Sequence, residues 1–193
     1  DYDFAVIGGG SGGYAGARTA VGLGLKTVVI EGGPDVGGLC ILRGCMPSKT
    51  LLESARRFRV LKRAGEFGLS CESPGFKTSA IIDRKKRLIG EFADYRRGQL
   101  ESGRFDFLRG RAEFLDPKTL RVHHLDGKIS TLSAKTFLIA TGSEIAIPPV
   151  PGLAESSCLT SDDLLDLENL PESIIVLGAG PVGLEMASYC RAF

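Results

Sequence analysis

The sequence predicts an α/β protein assembled from dinucleotide-binding β–α units, and three observations carry that expectation. An apolar segment, Tyr2 to Ile7, runs directly into GGGSGG, in which Gly8, Gly10 and Gly13 supply the G-x-G-x-x-G spacing. A second run of the same spacing, Gly178, Gly180 and Gly183, again follows an apolar segment. Between the two lie Cys40 and Cys45, five positions apart. The repeat predicts a Rossmann-like domain carrying a β-meander, followed by the first β–α unit of a second Rossmann-like domain.

Composition narrows the functional classes. Of 193 residues, 43% are hydrophobic, enough for a core, and 26 glycines point to many tight turns. Basic and acidic residues nearly cancel, 24 against 23, so no field would draw nucleic acid or an anionic membrane. No apolar run reaches bilayer length and no signal sequence precedes the first strand, which suggests a cytoplasmic protein. Five unevenly spaced cysteines fit a reducing compartment better than a secreted disulfide framework.

Taken in order, Tyr2 to Ile7 reads as a buried strand. In the turn after it, the first glycine allows the tight bend, the second lets backbone approach a pyrophosphate, and the third permits close helix–strand packing. Ser11 and Gly12 complete the loop, and a helix from Tyr14 to Gly22 would aim its N-terminal amides at that phosphate. A strand from Lys26 to Ile30 leads to Glu31 and Gly32, placing an acid where a ribose hydroxyl would lie. Next comes GGLCILRGCMPSK, Gly37 to Lys49. Pro47 suits the first turn of a helix, so Cys45 would sit at a helix N-terminus, where the dipole favours a thiolate. Cys40 would lie upstream and be the more exposed. A regular helix holds such positions roughly 8–9 Å apart, too far for a disulfide, so the turn must distort, most easily at Gly44. The residues alone leave two readings open, a redox pair or two buried structural thiols.

Helical spacing continues from Ser48 to Ala64 through Leu51, Leu52, Ala55, Phe58 and Leu61. Cys71 reads as an inert thiol in a loop. A long helix is expected from Thr78 to Ser102, ended by Gly103, with Arg84 to Arg87 as its solvated face. Short strands are expected at Phe105–Arg109, Thr119–His123 and Ile129–Leu132, and a separate buried strand at Thr136–Ala140. His123 and His124, the only histidines, fall on opposite strand faces with no ligand at metal spacing. A proline-rich connector, Ile147 to Gly152, precedes a short helix from Thr160 to Leu167 capped by Thr160 or Ser161. Ser173 to Leu177 reads as another buried strand, feeding the second glycine turn and a helix in which Cys190 is core.

The cysteine segment resembles that of the flavin-dependent pyridine nucleotide–disulfide oxidoreductases, the group containing dihydrolipoyl dehydrogenase, glutathione reductase and mercuric reductase. The family pattern GG-T-C-x-N-x-G-C-x-P-[SK]-K is matched at Gly37, Gly38, Cys40, Gly44, Cys45, Pro47, Ser48 and Lys49; Leu39 and Leu42 replace the usual Thr and Asn. Ala140, Thr141 and Gly142 resemble the segment that leaves the flavin domain, and Ala112 matches a position whose backbone meets the adenine side of FAD.

The resemblance implies FAD at the first glycine turn, with contacts reaching Gly38, Leu39, Cys40 and Lys49. It implies NAD(P) at the second, with Pro181, Val182 and Glu185 beside the glycines. Electrons would pass from pyridine nucleotide through FAD to a Cys40–Cys45 disulfide, with Cys45 the thiol nearest the flavin and Cys40 the interchange thiol. Lys49 and Glu185 would pair beside the flavin. The substrate would be a small disulfide, a dithiol or a metal ion, and the full-length enzyme a homodimer. The implied domains are an FAD-binding part at 1–146, a connector at 147–171 and the start of an NAD(P)-binding domain at 172–193. A later acidic ribitol-binding residue and a partner-supplied histidine fall outside these residues, so the chain would be an inactive N-terminal fragment. Two alternatives remain: another NAD(P)H-dependent flavoenzyme with incidental cysteines, and a non-catalytic thiol- or metal-binding fragment.

Overall fold

A computed structural model describes all 193 residues, Asp1–Phe193. Contacts divide them into two compact units, one of residues 1–42 and 90–143 and the other of residues 43–89 and 144–193.

The first unit is built on five strands: β1 (Tyr2–Ile7), β2 (Thr27–Glu31), β3 (Asp106–Asp116), β4 (Thr119–His124) and β5 (Ile129–Ile139). β1 pairs in parallel with both β2 and β5, and β2 pairs in parallel with the first half of β3. The far halves of β3 and β5 bend away to pair antiparallel with β4, and the five strands close into a barrel. The parallel layer and the meander therefore share their two longest strands. Because side chains alternate along a strand, β1 and β2 serve two cores at once. Ala5, Val28 and Ile30 face inward with Leu120, Val122 and Ala134. Val6 and Val29 face outward onto Ala17, Val36, Leu100 and Phe105. Ala17 belongs to α1 (Ser11–Gly22), which starts three residues earlier than expected because the helix opens inside the glycine turn itself, with Gly10 as its N-cap. The expected separate strand at Thr136–Ala140 is the second half of β5, and it is not buried: Ile139 is 66% exposed. A strand that changes partners midway reads as two strands from sequence, because its apolar pattern changes with the neighbour it serves.

The second unit is helical. It contains α3 (Cys45–Lys62), a 3₁₀ turn at Ala64–Phe67, the first half of α4 (Thr78–Leu100), α5 (Ser161–Leu165) and α6 (Pro181–Ala192). Leu51, Ala55, Ile82, Leu164, Leu165, Met186, Tyr189 and Ala192 form its core. Thr160 caps α5 through a reciprocal box with Asp163. Arg84 to Arg87 is not simply a solvated face. Lys85 is only 5% exposed and its Nζ donates to Asp166 Oδ1 at 2.7 Å. Lys85 lies three residues past Ile82, on the same apolar stripe, and the stripe carries it inward.

Ser173–Leu177 forms no strand, and Ile175 is 97% exposed. The reason is physical. This unit holds no other strand, and a lone extended segment has no ladder in which to satisfy its backbone.

Candidate functional site

Both glycine turns are built alike. Gly8 has φ +106° and Gly178 has φ +108°, a conformation that glycine alone adopts without strain. Gly10 and Gly180 cap α1 and α6 in extended conformation, and neither helix start carries a side-chain cap. A Cβ on Gly13 would stand 1.8 Å from the Gly8 carbonyl oxygen, and one on Gly183 would stand 2.4 Å from that of Gly178. In each turn the third glycine thus lets the helix close directly onto the first. Pro181 occupies the first turn of α6, where its missing N–H is not needed, with Val182 exposed beside it.

Other cradle residues gather on the first turn. Gly38 (φ +70°) approaches so closely that a Cβ there would meet the Gly10 Cα at 2.4 Å. This packs α2 (Gly38–Leu42) against the start of α1, with Leu39 exposed. A Cβ on Gly8 would meet the Ala140 carbonyl oxygen at 2.3 Å, and Gly142 turns the chain at φ +83° just after Thr141. Glu31 accepts from Gly9 N at 2.7 Å through Oε2 and from Gly33 N at 2.6 Å through Oε1. Its carboxylate is thereby fixed by an amide from each of two loops, and each oxygen retains capacity for a further donor. Ser11 and Gly12 form the first turn of α1, Gly32 packs against the Gly110 carbonyl, and Ala112 sits opposite Val122 in the meander. Close backbone approaches, uncapped helix amides and an oriented carboxylate fit a dinucleotide.

Cys40 lies within α2 and Cys45 opens α3. The two helices are separate, with Arg43 and Gly44 between them, so the expected break in the helix is present. The order of exposure is opposite to expectation: Cys45 is exposed and Cys40 half-buried. A residue at the start of a helix has no preceding turn to cover it, whereas Cys40 sits inside a turn beside buried Ile41. Pro47 and Ser48, in the first turn of α3, are buried. Lys49 Nζ donates to Glu185 Oε1, so the expected ion pair forms between α3 and α6.

His123 lies 3.5 Å from Glu113 Oε2, and His124 Nε2 lies 2.7 Å from Ser130 Oγ, both within the meander. No group of three or more His, Cys, Asp or Glu residues is placed to hold a metal. No helix is long and apolar enough to cross a membrane.

The pyridine nucleotide-disulphide oxidoreductase family model matches residues 2–193. The chain belongs to this family. Its relatives include dihydrolipoyl dehydrogenase from Bacillus subtilis, 35% identical over 201 residues, covering all of this chain and 42% of the relative. Mercuric reductase from Streptomyces lividans is 38% identical over 189 residues, covering 96% of this chain and 40% of the relative. Among solved structures, the HOCl-induced flavoprotein disulfide reductase RclA from Escherichia coli matches with a TM-score of 0.81 at 28% identity, covering all of this chain and 40% of that one. The chain thus spans about two fifths of the length of these relatives.

Some residues at the site escaped sequence reasoning. Arg109, on β3, donates through Nη2 to the carbonyls of Gly33 and Pro34 at 2.5 and 3.1 Å. Arg96 stacks its guanidinium 4.1 Å from the ring centroid of Tyr14 on α1. Both contacts join segments far apart in sequence, and only strand register and helix docking reveal them.

Proposed function

We propose that the full-length protein is an NAD(P)H-dependent flavoprotein that reduces a small disulfide, or another substrate read by a thiol pair, through Cys40 and Cys45. The observation that carries this reading is the glycine turn built twice, Gly8 and Gly178 sharing one backbone conformation, with the cysteine pair between them in sequence. In this proposal the first turn, Glu31, Gly32, Gly38, Leu39, Ala112 and the 140–142 segment hold FAD, and the second turn with Pro181, Val182 and Glu185 holds NAD(P). The domains follow as 1–146 for FAD, a connector at 147–171 and the opening of the NAD(P) domain at 172–193. Bound flavin would supply two-electron relay between nicotinamide and disulfide.

The protein's own groups do the rest. Uncapped amides at the starts of α1 and α6 offer donors to pyrophosphate oxygens. Lys49 and Glu185 balance each other's charge at the start of α3 and on α6. Once Cys40 and Cys45 are reduced, the Cys40 thiolate attacks a substrate disulfide. One substrate thiol leaves and a mixed disulfide remains. Cys45 then attacks Cys40, closing their disulfide and releasing the second substrate thiol. Homodimer assembly and cytoplasmic location belong to the same proposal.

The test is mixed-disulfide trapping in the full-length protein. Cys45→Ser should lose turnover and accumulate substrate covalently on Cys40, seen by mass spectrometry. Cys40→Ser should lose turnover without accumulating it. The reverse pattern would exchange the two roles, and full turnover by both variants would reject the thiol mechanism.

A further inference from the structure

We propose that Arg109 is a positioning residue for the first dinucleotide site: it clamps the loop after β2 and so holds Glu31 ready for the ribose of an adenine dinucleotide. The inference rests on the functional reading above and adds a residue that the glycine signature does not contain.

The argument begins with strand register. Arg109 on β3 stands opposite Glu31 on β2, the last residue of that strand before the chain turns through Gly32, Gly33 and Pro34. Gly33 is then held by both of its backbone polar groups. Its N–H donates to Glu31 Oε1 at 2.6 Å, and its carbonyl accepts from Arg109 Nη2 at 2.5 Å. The same Nη2 reaches the Pro34 carbonyl at 3.1 Å. Glu31 in turn accepts from Gly9 N at 2.7 Å, inside the first glycine turn. A continuous path therefore runs from Arg109 through the 33–34 carbonyls and Glu31 to the glycine turn. The loop also runs close to β3, since a Cβ on Gly32 would lie 3.0 Å from the Gly110 carbonyl oxygen.

A second feature argues that the position is not set by stability alone. Arg109 Nε is buried and has no acceptor. An unpaired buried donor is costly, and an apolar side chain at this site would avoid that cost. The arginine instead places one guanidinium nitrogen, Nη2, on two loop carbonyls, which no apolar residue could do. Hydrogen bonds from a charged donor of this kind are the stronger sort.

Two measurements on the full-length protein decide the matter, using Arg109→Met and the conservative Arg109→Lys. The first is amide exchange of the Gly33 to Val36 segment in the flavin-free protein. Arg109→Met should speed exchange there by about tenfold, with Arg109→Lys intermediate because an ammonium keeps the charged donor without the planar guanidinium that reaches both carbonyls. The second is equilibrium binding of FAD against FMN, which lacks the adenosine half. Arg109→Met should weaken FAD by about tenfold and leave FMN unchanged. Unchanged loop exchange, or equal weakening of FAD and FMN, would overturn the inference. A wild-type protein that takes up FAD while Arg109→Met binds it equally well rejects the inference alone. A wild-type protein that takes up neither flavin rejects the functional reading and the inference with it.

Discussion

At the glycine turns, one methyl group decides whether the backbone can close. Gly13 and Gly12 are neighbours in α1 but differ completely in surroundings. A Cβ at Gly13 would enter the Gly8 carbonyl, whereas at Gly12 nothing lies within 4 Å. Gly13→Ala should therefore destabilise by at least about 1–3 kcal/mol through overpacking against backbone. Gly12→Ala should be neutral or gain roughly 0.5–1 kcal/mol from the lower entropy of alanine in a helix. Urea unfolding midpoints of the two variants test the contrast. The Lys49–Glu185 pair calls for the opposite expectation. Its side chains are 60% and 30% exposed, so the pair contributes under about 1 kcal/mol to stability. Lys49→Ala should barely move the unfolding midpoint, and any large loss of activity in the full-length protein would then report chemistry rather than folding. The glycines were legible because spacing alone dictates their backbone. The relative exposure of Cys40 and Cys45 was not, because it depends on which of them has a helical turn in front of it.

Among elements, α3, α4, α5 and α6 meet in one apolar cluster, and the buried Lys85 sits at its edge. Its partner Asp166 is 58% exposed, so the pair is asymmetric: the ammonium depends on the carboxylate more than the reverse. Asp166→Asn should cost about 1–3 kcal/mol by leaving a buried charge poorly compensated. Lys85→Met, similar in volume and without charge, should be close to neutral. Chemical denaturation of the two single variants decides between these outcomes, and equal losses would contradict the asymmetry. The helices were legible from their 3.6-residue periodicity, and even Lys85 could have been placed inside by counting three residues from Ile82. Strands were harder. β5 reads as two strands because it exchanges β4 for β1 along its length, a change that no local pattern announces. Ser173–Leu177 has strand composition but no neighbouring strand in its unit, and composition cannot supply one. Arg109 was invisible for the same reason, since its role exists only once β2 and β3 are in register.

For the whole molecule, the response to alkali should expose a feature of the helical core. Tyr189 is fully buried in that core, and its hydroxyl has no hydrogen-bond partner. Burial, and then the neighbouring Cys190, push its pKa up to about 12. In the unfolded chain a tyrosine titrates near roughly 10. The sign follows from proton binding. Between these values the unfolded state has released the proton while the folded state still holds it, so rising pH favours unfolding. The contribution is fully present below about pH 10 and is lost as pH rises towards the folded value, amounting to at most roughly 3 kcal/mol. Tyr2 behaves similarly in the strand unit, raised to about 12 by burial and by its hydrogen bond to Asp106. Tyr189→Phe should therefore do two things together. Near pH 8 it should leave stability unchanged or raise it, because it removes an unpaired buried hydroxyl. Above pH 10 it should flatten the decline, because one proton-linked group is gone. Urea unfolding of wild type and Tyr189→Phe at steps from pH 8 to 12 measures both effects. An unchanged alkaline slope in the variant would show that the sensitivity resides elsewhere, with Tyr2→Phe the next variant to measure.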